Sequence, residues 1–294
     1  MYDVAIVGGG PAGATLARLI GRDYRVLLLD KQRLSAPTSR AEAGKCCGGL
    51  VAPAAQKVLA SMGLGLPEKL LVGADGANSL VRRLVMRGSS GGACEPDKYV
   101  AIQEWFAVDH VPPYFSAIFD RRVTDFYSWM IPKANGVIVG AALRPNRDAR
   151  RRFNLLTDKL RRCGVISGEC FKREGGFIYR PRRPGQISTG SAAAALVGEA
   201  AGWISPSSGE GFSFAFRSAV ELAEALRPGP AGFQRRYTRR CRSMRWAIAV
   251  KNARCRLMFT PSVRKIIMQA GLGALPKAHG RSCTAAPLRL APVS

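Results

Sequence analysis

Histidine is nearly missing from this chain: His110 and His279 are the only two in 294 residues, and they lie 169 positions apart. That scarcity argues against a zinc site and against Ser-His-Asp hydrolysis, so no metal ligands are assigned. Long hydrophobic runs are missing too, since no stretch approaches the roughly 18 consecutive apolar residues of a membrane span. The opening MYDVAIVGGG lacks the basic region that precedes the apolar core of a secretory signal, and the expectation is a cytoplasmic chain. No two cysteines form a C-x-x-C pair. Cys46, Cys47, Cys94, Cys163, Cys170, Cys241, Cys255 and Cys283 are expected to be free thiols, mostly buried. Acidic residues are few: 20 against 45 basic ones, for a net charge of +25. Of the basic residues 34 are arginine, with clusters at 144–152, 180–183 and 235–245. Such a balance attracts nucleic acid, anionic lipid or polyanionic substrates. No helix-turn-helix or aromatic-interleaved pattern accompanies it, so solvated arginine faces are the preferred reading and nucleic acid the weakest partner. The 47% of hydrophobic residues suffices for a substantial core.

The N-terminus carries the first positive signal. Residues 2–7, YDVAIV, have the β-branched character of a buried parallel strand. They meet Gly8-Gly9-Gly10-Pro11-Ala12-Gly13, a G-x-G-x-x-G pattern, and then Leu16, Leu19 and Ile20 at helical spacing. A second apolar run, residues 25–30, ends in Asp30, 20 residues after Gly10. Gly8 allows a tight turn, Gly10 lets the backbone approach a pyrophosphate, and Gly13 lets helix and strand pack closely. The helix N-terminus offers N–H groups and the positive end of its dipole to phosphate, while Asp30 suits ribose hydroxyls. Strand, glycines, helix, second strand and acid in this order point to dinucleotide binding.

Two later segments narrow the dinucleotide to FAD. Residues 70–82 read as a strand, an acid between glycines (Asp75) and a helix. Residues 195–202 read as a strand ending in Glu199, followed by Pro206, Gly209, Gly211 and a helix from Phe212. An acid at a strand's carboxyl end can accept from ribityl hydroxyls, and a helix N-terminus can stabilise charge at the flavin N1–C2=O edge. Taken singly, either segment reads equally well as a strand-to-helix turn with an acidic cap.

GGGPAG, GADGANSLVRR and GEAAGWISPSSGEGF together resemble the three signatures of glutathione-reductase-like, para-hydroxybenzoate-hydroxylase-type flavoproteins. Residues 44–53, GKCCGGLVAP, and Tyr127-Ser-Trp129-Met-Ile-Pro132-Lys133 further resemble the geranylgeranyl reductase family, in its bacterial CbrA-like branch. The resemblance runs from residue 1 to about residue 273. It implies a Rossmann-like α/β FAD-binding domain with an antiparallel-sheet substrate domain and a helical C-terminus. It implies that Gly8, Gly10, Pro11, Ala12, Gly13, Asp30 and Lys31 hold the ADP half of FAD. Lys45, Cys47, Gly48 and Gly49 would lie beside the isoalloxazine, Asp75 is the acid of the middle motif, and Glu199, Pro206, Gly209, Gly211 and Phe212 would contact ribityl and flavin. Tyr127 and Trp129 would line an apolar cavity over the flavin, although aromatics in such a sheet read on their own as core, and Cys47 is a candidate either for redox chemistry or for a small residue fitting against the ring. The implied activity is reduction of C=C bonds in an isoprenoid or other lipophilic substrate; a monooxygenase-like enzyme or an impaired flavoprotein relic are the alternatives. No second G-x-G-x-x-G occurs, so NAD(P)H would dock transiently or a separate electron carrier would supply reducing equivalents.

Two departures from the family pattern stand out. Glu199 replaces the more usual Asp, and only 16 residues separate Gln56 from Gly73, where the family places several strands, so an internal deletion is expected there. The expected organisation is a discontinuous FAD domain (1–88 and 185–228), a substrate domain (89–184), C-terminal helices (229–275) and a disordered tail (276–294). Residues 97–143 should form short strands with a turn at 134–136, residues 148–162 a basic helix, and residues 233–256 one long basic helix. A last amphipathic helix over 261–272, with Val263, Ile266, Ile267 and Leu272, is expected to pack against the body, with peripheral contact with anionic membrane at the inner face as the alternative.

Overall fold

The computed structural model describes residues 2–30, 70–87, 94–134 and 136–269. Lys31, Lys45, Cys46, Cys47, Gly48, Gly49 and most of the join between Gln56 and Gly73 lie outside the described residues. The chain falls into two units, Met1–Arg256 and Leu257–Ser294.

In the first unit, β1 (Val4–Val7) is buried at all four positions and sits inside a parallel sheet of order β2-β1-β3-β9. β2 is Val26–Leu29, β3 Leu71–Gly73 and β9 Ala194–Leu196. Burial on both faces explains why these strands are short continuous apolar runs rather than alternating ones. Parallel pairing of β1 with β2 requires a crossover, which α1 (Pro11–Ile20) supplies. Leu16 and Ile20 of α1 share one core cluster with Val4, Ile6, Phe214, Leu222 and Leu226, each fully buried side chain of this kind contributing roughly 1.5–3 kcal/mol. Leu19, expected on the same face, is instead 44% exposed. α4 (Phe212–Leu226) packs on α1, and α2 (Leu80–Arg87) follows β3.

A second sheet, antiparallel and of order β5-β6-β7-β4-β8, contains β4 (Asp97–Phe106), β5 (Ser116–Ile118), β6 (Ser128–Lys133), β7 (Gly136–Leu143) and β8 (Cys170–Arg180). β7 is buried at all eight positions, because β6 and β4 flank it and α3 (Ala149–Arg162) covers it with Phe153 and Leu156. The fold class expected from sequence is therefore observed: a parallel α/β sheet with an antiparallel sheet and helices after it.

Two expectations are corrected. The long basic helix is two helices, α5 (Phe233–Arg240) and α6 (Arg242–Met258), interrupted at Cys241. Neither Pro nor Gly marks the break. Cys241 is buried together with Tyr237 and Met244, and Arg236 fastens α5 by donating to the carbonyls of Ala225, Gly229 and Ala231. Of the five described cysteines, Cys241 and Cys255 alone are buried; Cys94 and Cys163 are exposed and Cys170 is intermediate, so the described thiols are not mostly buried. In the second unit, α7 is Pro261–Gln269, with Ile266 65% exposed. No helix among the described residues is long and apolar enough to cross a membrane, and these residues contain no His/Cys/Asp/Glu cluster able to hold a metal.

Candidate active site

The first motif occupies the carboxyl end of β1. Gly8 has φ 107°, and a Cβ there would lie 2.6 Å from the Ala74 carbonyl oxygen, so the turn and the neighbouring strand both demand glycine. A Cβ on Gly13 would come within 1.9 Å of the Gly8 carbonyl oxygen, which fixes the close approach of α1 to β1. A Cβ on Gly10, by contrast, would meet none of the described residues within 4 Å. Among them, space therefore lies open in front of the helix start, where the first N–H groups have no intrahelical partner. Pro11 takes the first helical position, where a missing N–H is harmless, and Ala12 is buried behind it. Asp30 follows β2, and its Oδ2 accepts from the Gly9 N–H at 2.6 Å, so the acid braces the glycine turn.

Asp75 follows β3 and is buried. Its Oδ1 accepts from Ser79 Oγ at 2.6 Å, and its Oδ2 from the Leu80 N–H at 2.7 Å. This is the capping geometry that the sequence left as an alternative, and it starts α2. Burial raises the Asp75 carboxyl above its ordinary value, with the bonds from Ser79 and Leu80 opposing that rise. Seven residues on, Arg82 is 1% exposed and donates from Nη1 to the Ala200 carbonyl (3.1 Å) and from Nη2 to the Gln186 carbonyl (2.7 Å). It has no carboxylate partner among the described residues, and burial lowers its pKa. Sequence reasoning assigned Arg82 no role, although the GADGANSLVRR motif contains it.

The third motif begins with the turn Gly198–Ala201 after β9. A Cβ on Gly198 would touch the Ala12 Cβ at 2.9 Å, so first and third motifs meet at the carboxyl end of the sheet across β3, whose following residue Ala74 brings the middle motif beside Gly8. That edge of a parallel sheet is where α/β folds bind ligands. Glu199 Oε1 accepts from the Tyr179 N–H of β8 at 2.7 Å. Burial pushes its carboxyl up to about 7, only partly offset by that bond. The loop Ser205–Gly211 closes on itself, with the Ser205 N–H donating to Glu210 O and the Gly209 N–H to Ser205 O, both at 2.9 Å. Gly209 has φ 62° and faces Ile178 and Phe126; Gly211 caps α4, whose first residue, Phe212, is 53% exposed.

The antiparallel sheet fastens this loop at two points. Arg180 Nε donates to the Pro206 carbonyl at 3.0 Å while its guanidinium lies 4.2 Å from the centre of the Phe126 ring. Tyr127 donates its hydroxyl proton to the Ser208 carbonyl. Burial pushes the Tyr127 hydroxyl up to about 12, so it stays protonated and donating at neutral pH. Tyr127 stands edge-on to Phe126 with ring centres 5.0 Å apart, and 5.5 Å from Trp129. Trp129 is held by Nε1 donating to Gln103 Oε1 at 3.0 Å. It lies flat against Gly140, where a Cβ would come within 2.3 Å of the indole. Phe126, Tyr127 and Trp129 thus form one aromatic wall beside the loop.

Glu199 supplies a pH test. Its folded value of about 7 lies above the ordinary 4.5, so between these pH values the folded chain holds a proton that the unfolded chain has released. Stability from this group is therefore greatest below about pH 4.5 and falls as pH rises towards 7, by up to about 3 kcal/mol. Glu199→Gln keeps the acceptor for the Tyr179 N–H and removes the titration. Its melting temperature should gain on the wild type as pH rises from 5 to 8; parallel profiles would refute the assignment.

These features define an FAD-dependent oxidoreductase: a strand–glycine turn–helix unit with an acid after the second strand, two further motifs at the same sheet edge, and an antiparallel sheet over the last. A family model described as FAD dependent oxidoreductase (DAO) matches residues 3–90. Protein CbrA of Escherichia coli O6:H1 is 31% identical over 361 aligned positions covering 94% of this chain and 95% of the relative. The chain belongs to the CbrA family. Among solved structures, a geranylgeranyl bacteriochlorophyll reductase-like protein from Thermoplasma acidophilum shares the fold with a TM-score of 0.70 at 17% identity, over 93% of this chain and 92% of that one. PqsL of Pseudomonas aeruginosa, described as a probable FAD-dependent monooxygenase, has a TM-score of 0.58 at 15% identity, over 92% and 99%. At these identities the two structures speak for the fold. The described residues fit FAD: open space at Gly10 before a helix start, and a buried acid at the strand end.

Proposed function

We propose that the chain uses FAD to reduce C=C bonds of an isoprenoid or other lipophilic substrate. The observation that supports this reading is the aromatic cluster Phe126–Tyr127–Trp129 fastened to the Ser205–Gly211 loop, apolar side chains beside the segment that would contact the flavin. Likeness of fold to a geranylgeranyl bacteriochlorophyll reductase-like protein supports the substrate class.

Gly8, Gly10, Gly13 and Asp30 would hold the ADP half of the cofactor, and Glu199 with the Pro206–Phe212 segment its ribityl and ring. FAD, when bound, supplies two-electron hydride chemistry to the alkene. The residues of this chain position the substrate and exclude water. Trp129, pinned by Gln103 and seated on Gly140, is a rigid apolar face. Tyr127, protonated and committed to the Ser208 carbonyl, is a positioning residue rather than a base. Cys47 lies outside the described residues, and its part in redox chemistry is a matter for mutation. Electrons would come from NAD(P)H docking transiently or from a separate carrier. The chain would work in the cytoplasm, peripherally at the inner membrane face.

The first experiment is the visible spectrum of the purified protein with release and identification of bound flavin, followed by anaerobic reduction and reoxidation by polyprenyl substrates. Stoichiometric FAD reoxidised by an alkene supports the reading. Flavin that reoxidises only with oxygen and transfers an oxygen atom would favour the monooxygenase reading, which the likeness to PqsL supports. A colourless protein that takes up no FAD would favour a relic with a shortened segment. The alignment to CbrA extends over 361 positions, more than the 294 residues of this chain, and supports such a shortening. Trp129→Ala should lower kcat/KM about tenfold or more, ~1.4 kcal/mol or above, with flavin content unchanged. Loss of flavin in that variant would count against the wall as a substrate surface.

A further inference from the structure

Trp246, on α6, is the most exposed large apolar side chain among the described residues, at 72%. It makes no ring or cation contact within them. A tryptophan combines a large apolar body with one N–H donor, a combination that settles where hydrocarbon meets water.

Its surroundings are as distinctive. Not one acidic residue occurs between Phe233 and Met258, and the seven arginines of that stretch whose side chains are described divide into two sets. The inward set is bound: Arg236 to three carbonyls, Arg240 to Glu221 at 2.7 Å, and Arg245 to the Pro184 carbonyl at 3.4 Å. The outward set, Arg235 and Arg239 on α5 with Arg242 and Arg254 on α6, is exposed and has no ion pair among the described residues. Arg242 lies one turn before Trp246. Arg217 of α4 reaches Ser243 of α6 at 3.4 Å and adds a further basic side chain beside the start of α6. A solvated helix face has no use for an unpartnered indole among unpartnered cations. A bilayer with anionic headgroups satisfies both at once, because arginine stems lie along apolar surface while their heads bind phosphate.

We propose that the outward face of α5 and α6 docks on an anionic lipid bilayer. Trp246 enters the headgroup layer, and Arg235, Arg239, Arg242 and Arg254 hold the lipid phosphates. This surface differs from the amphipathic segment 261–269, and it does not depend on the flavin chemistry.

The test is co-sedimentation of the full chain with vesicles of phosphatidylcholine alone and of phosphatidylcholine containing about one-third phosphatidylglycerol. Wild type should partition onto the anionic vesicles, release with rising salt, and ignore the neutral ones. Trp246→Ala should weaken partition about tenfold, and Arg239→Glu with Arg242→Glu about thirtyfold or more, since each basic residue near such a surface is worth roughly fivefold. Melting temperature should be unchanged in both variants, because the altered side chains are exposed. Wild type that stays in the supernatant at low salt overturns the proposal, as do variants that bind like wild type. Tighter retention on single-stranded DNA than on anionic vesicles at the same salt would assign the face to nucleic acid and likewise overturn it.

Discussion

Arg82→Ala should lose about 3–5 kcal/mol of stability, a fall of roughly 6–15 °C in melting temperature for a chain of this size. The side chain is 1% exposed and reaches two carbonyls far away in sequence, those of Gln186 and Ala200. Removing it leaves a cavity and two buried acceptors without donors, each costing about 1–3 kcal/mol. Part of this loss is returned, because a cation without a carboxylate partner no longer has to be buried.

Two further substitutions separate these contributions. Arg82→Met fills most of the volume and leaves the carbonyls unpaired, so it reports the hydrogen bonds. Arg82→Lys keeps the charge, but a single ammonium does not reproduce a planar fork aimed at two carbonyls. Its loss should fall between those of the wild type and the alanine variant. Ala200 closes the turn that carries Glu199, so FAD uptake should weaken along with stability in all three. Thermal melting and flavin titration check this; a melting temperature for Arg82→Ala within about 2 °C of wild type would sink the account.

Arg82 also shows where sequence reading stops. The glycine motif was legible because its constraints are local: Gly8, Gly10, Gly13 and Asp30 act within 30 residues, and each has a single conformational or steric reason. The two sheets were legible in outline, since continuous apolar runs and alternating ones differ in period. The arginines were not. Counted by composition they read as solvated clusters, yet Arg82 and Arg180 are buried and bind carbonyls of residues 104, 118 and 26 positions away. Such pairings exist only once the chain has folded. Asp75 remained open between a cofactor ligand and a cap, because a strand end followed by a helix supplies both geometries; the bonds from Ser79 and Leu80 display the cap. The break at Cys241 had no local signal either, for it follows from the burial of Tyr237, Cys241 and Met244 in a core built by distant elements. Of the aromatic wall, Tyr127 and Trp129 were named from resemblance. Gln103 and Gly140, which hold the indole in place, come from strands that neighbour it only in the folded sheet.

Gly10→Ala and Gly13→Ala should behave differently, although both alter the same motif. At Gly13 the new methyl would sit 1.9 Å from the Gly8 carbonyl oxygen and 3.2 Å from the Ala74 Cβ. Backbone on the facing side has no rotamer into which to retreat, so α1 must withdraw from β1 and the turn must open. The expected loss is about 2–4 kcal/mol of stability together with FAD binding. At Gly10 the methyl meets none of the described residues within 4 Å, and φ of −67° suits any residue. The fold should therefore tolerate alanine there, at about 1 kcal/mol or less for the change at a helix N-cap. If the open space in front of α1 receives the pyrophosphate, that methyl occupies it, and FAD affinity should drop about a hundredfold with the melting temperature nearly intact. Differential melting and flavin fluorescence on the two variants measure both quantities at once. A Gly10→Ala protein that keeps wild-type FAD affinity would mean that the phosphates lie elsewhere, and a Gly13→Ala protein of wild-type stability would mean that helix and strand are less tightly apposed than the 1.9 Å approach requires.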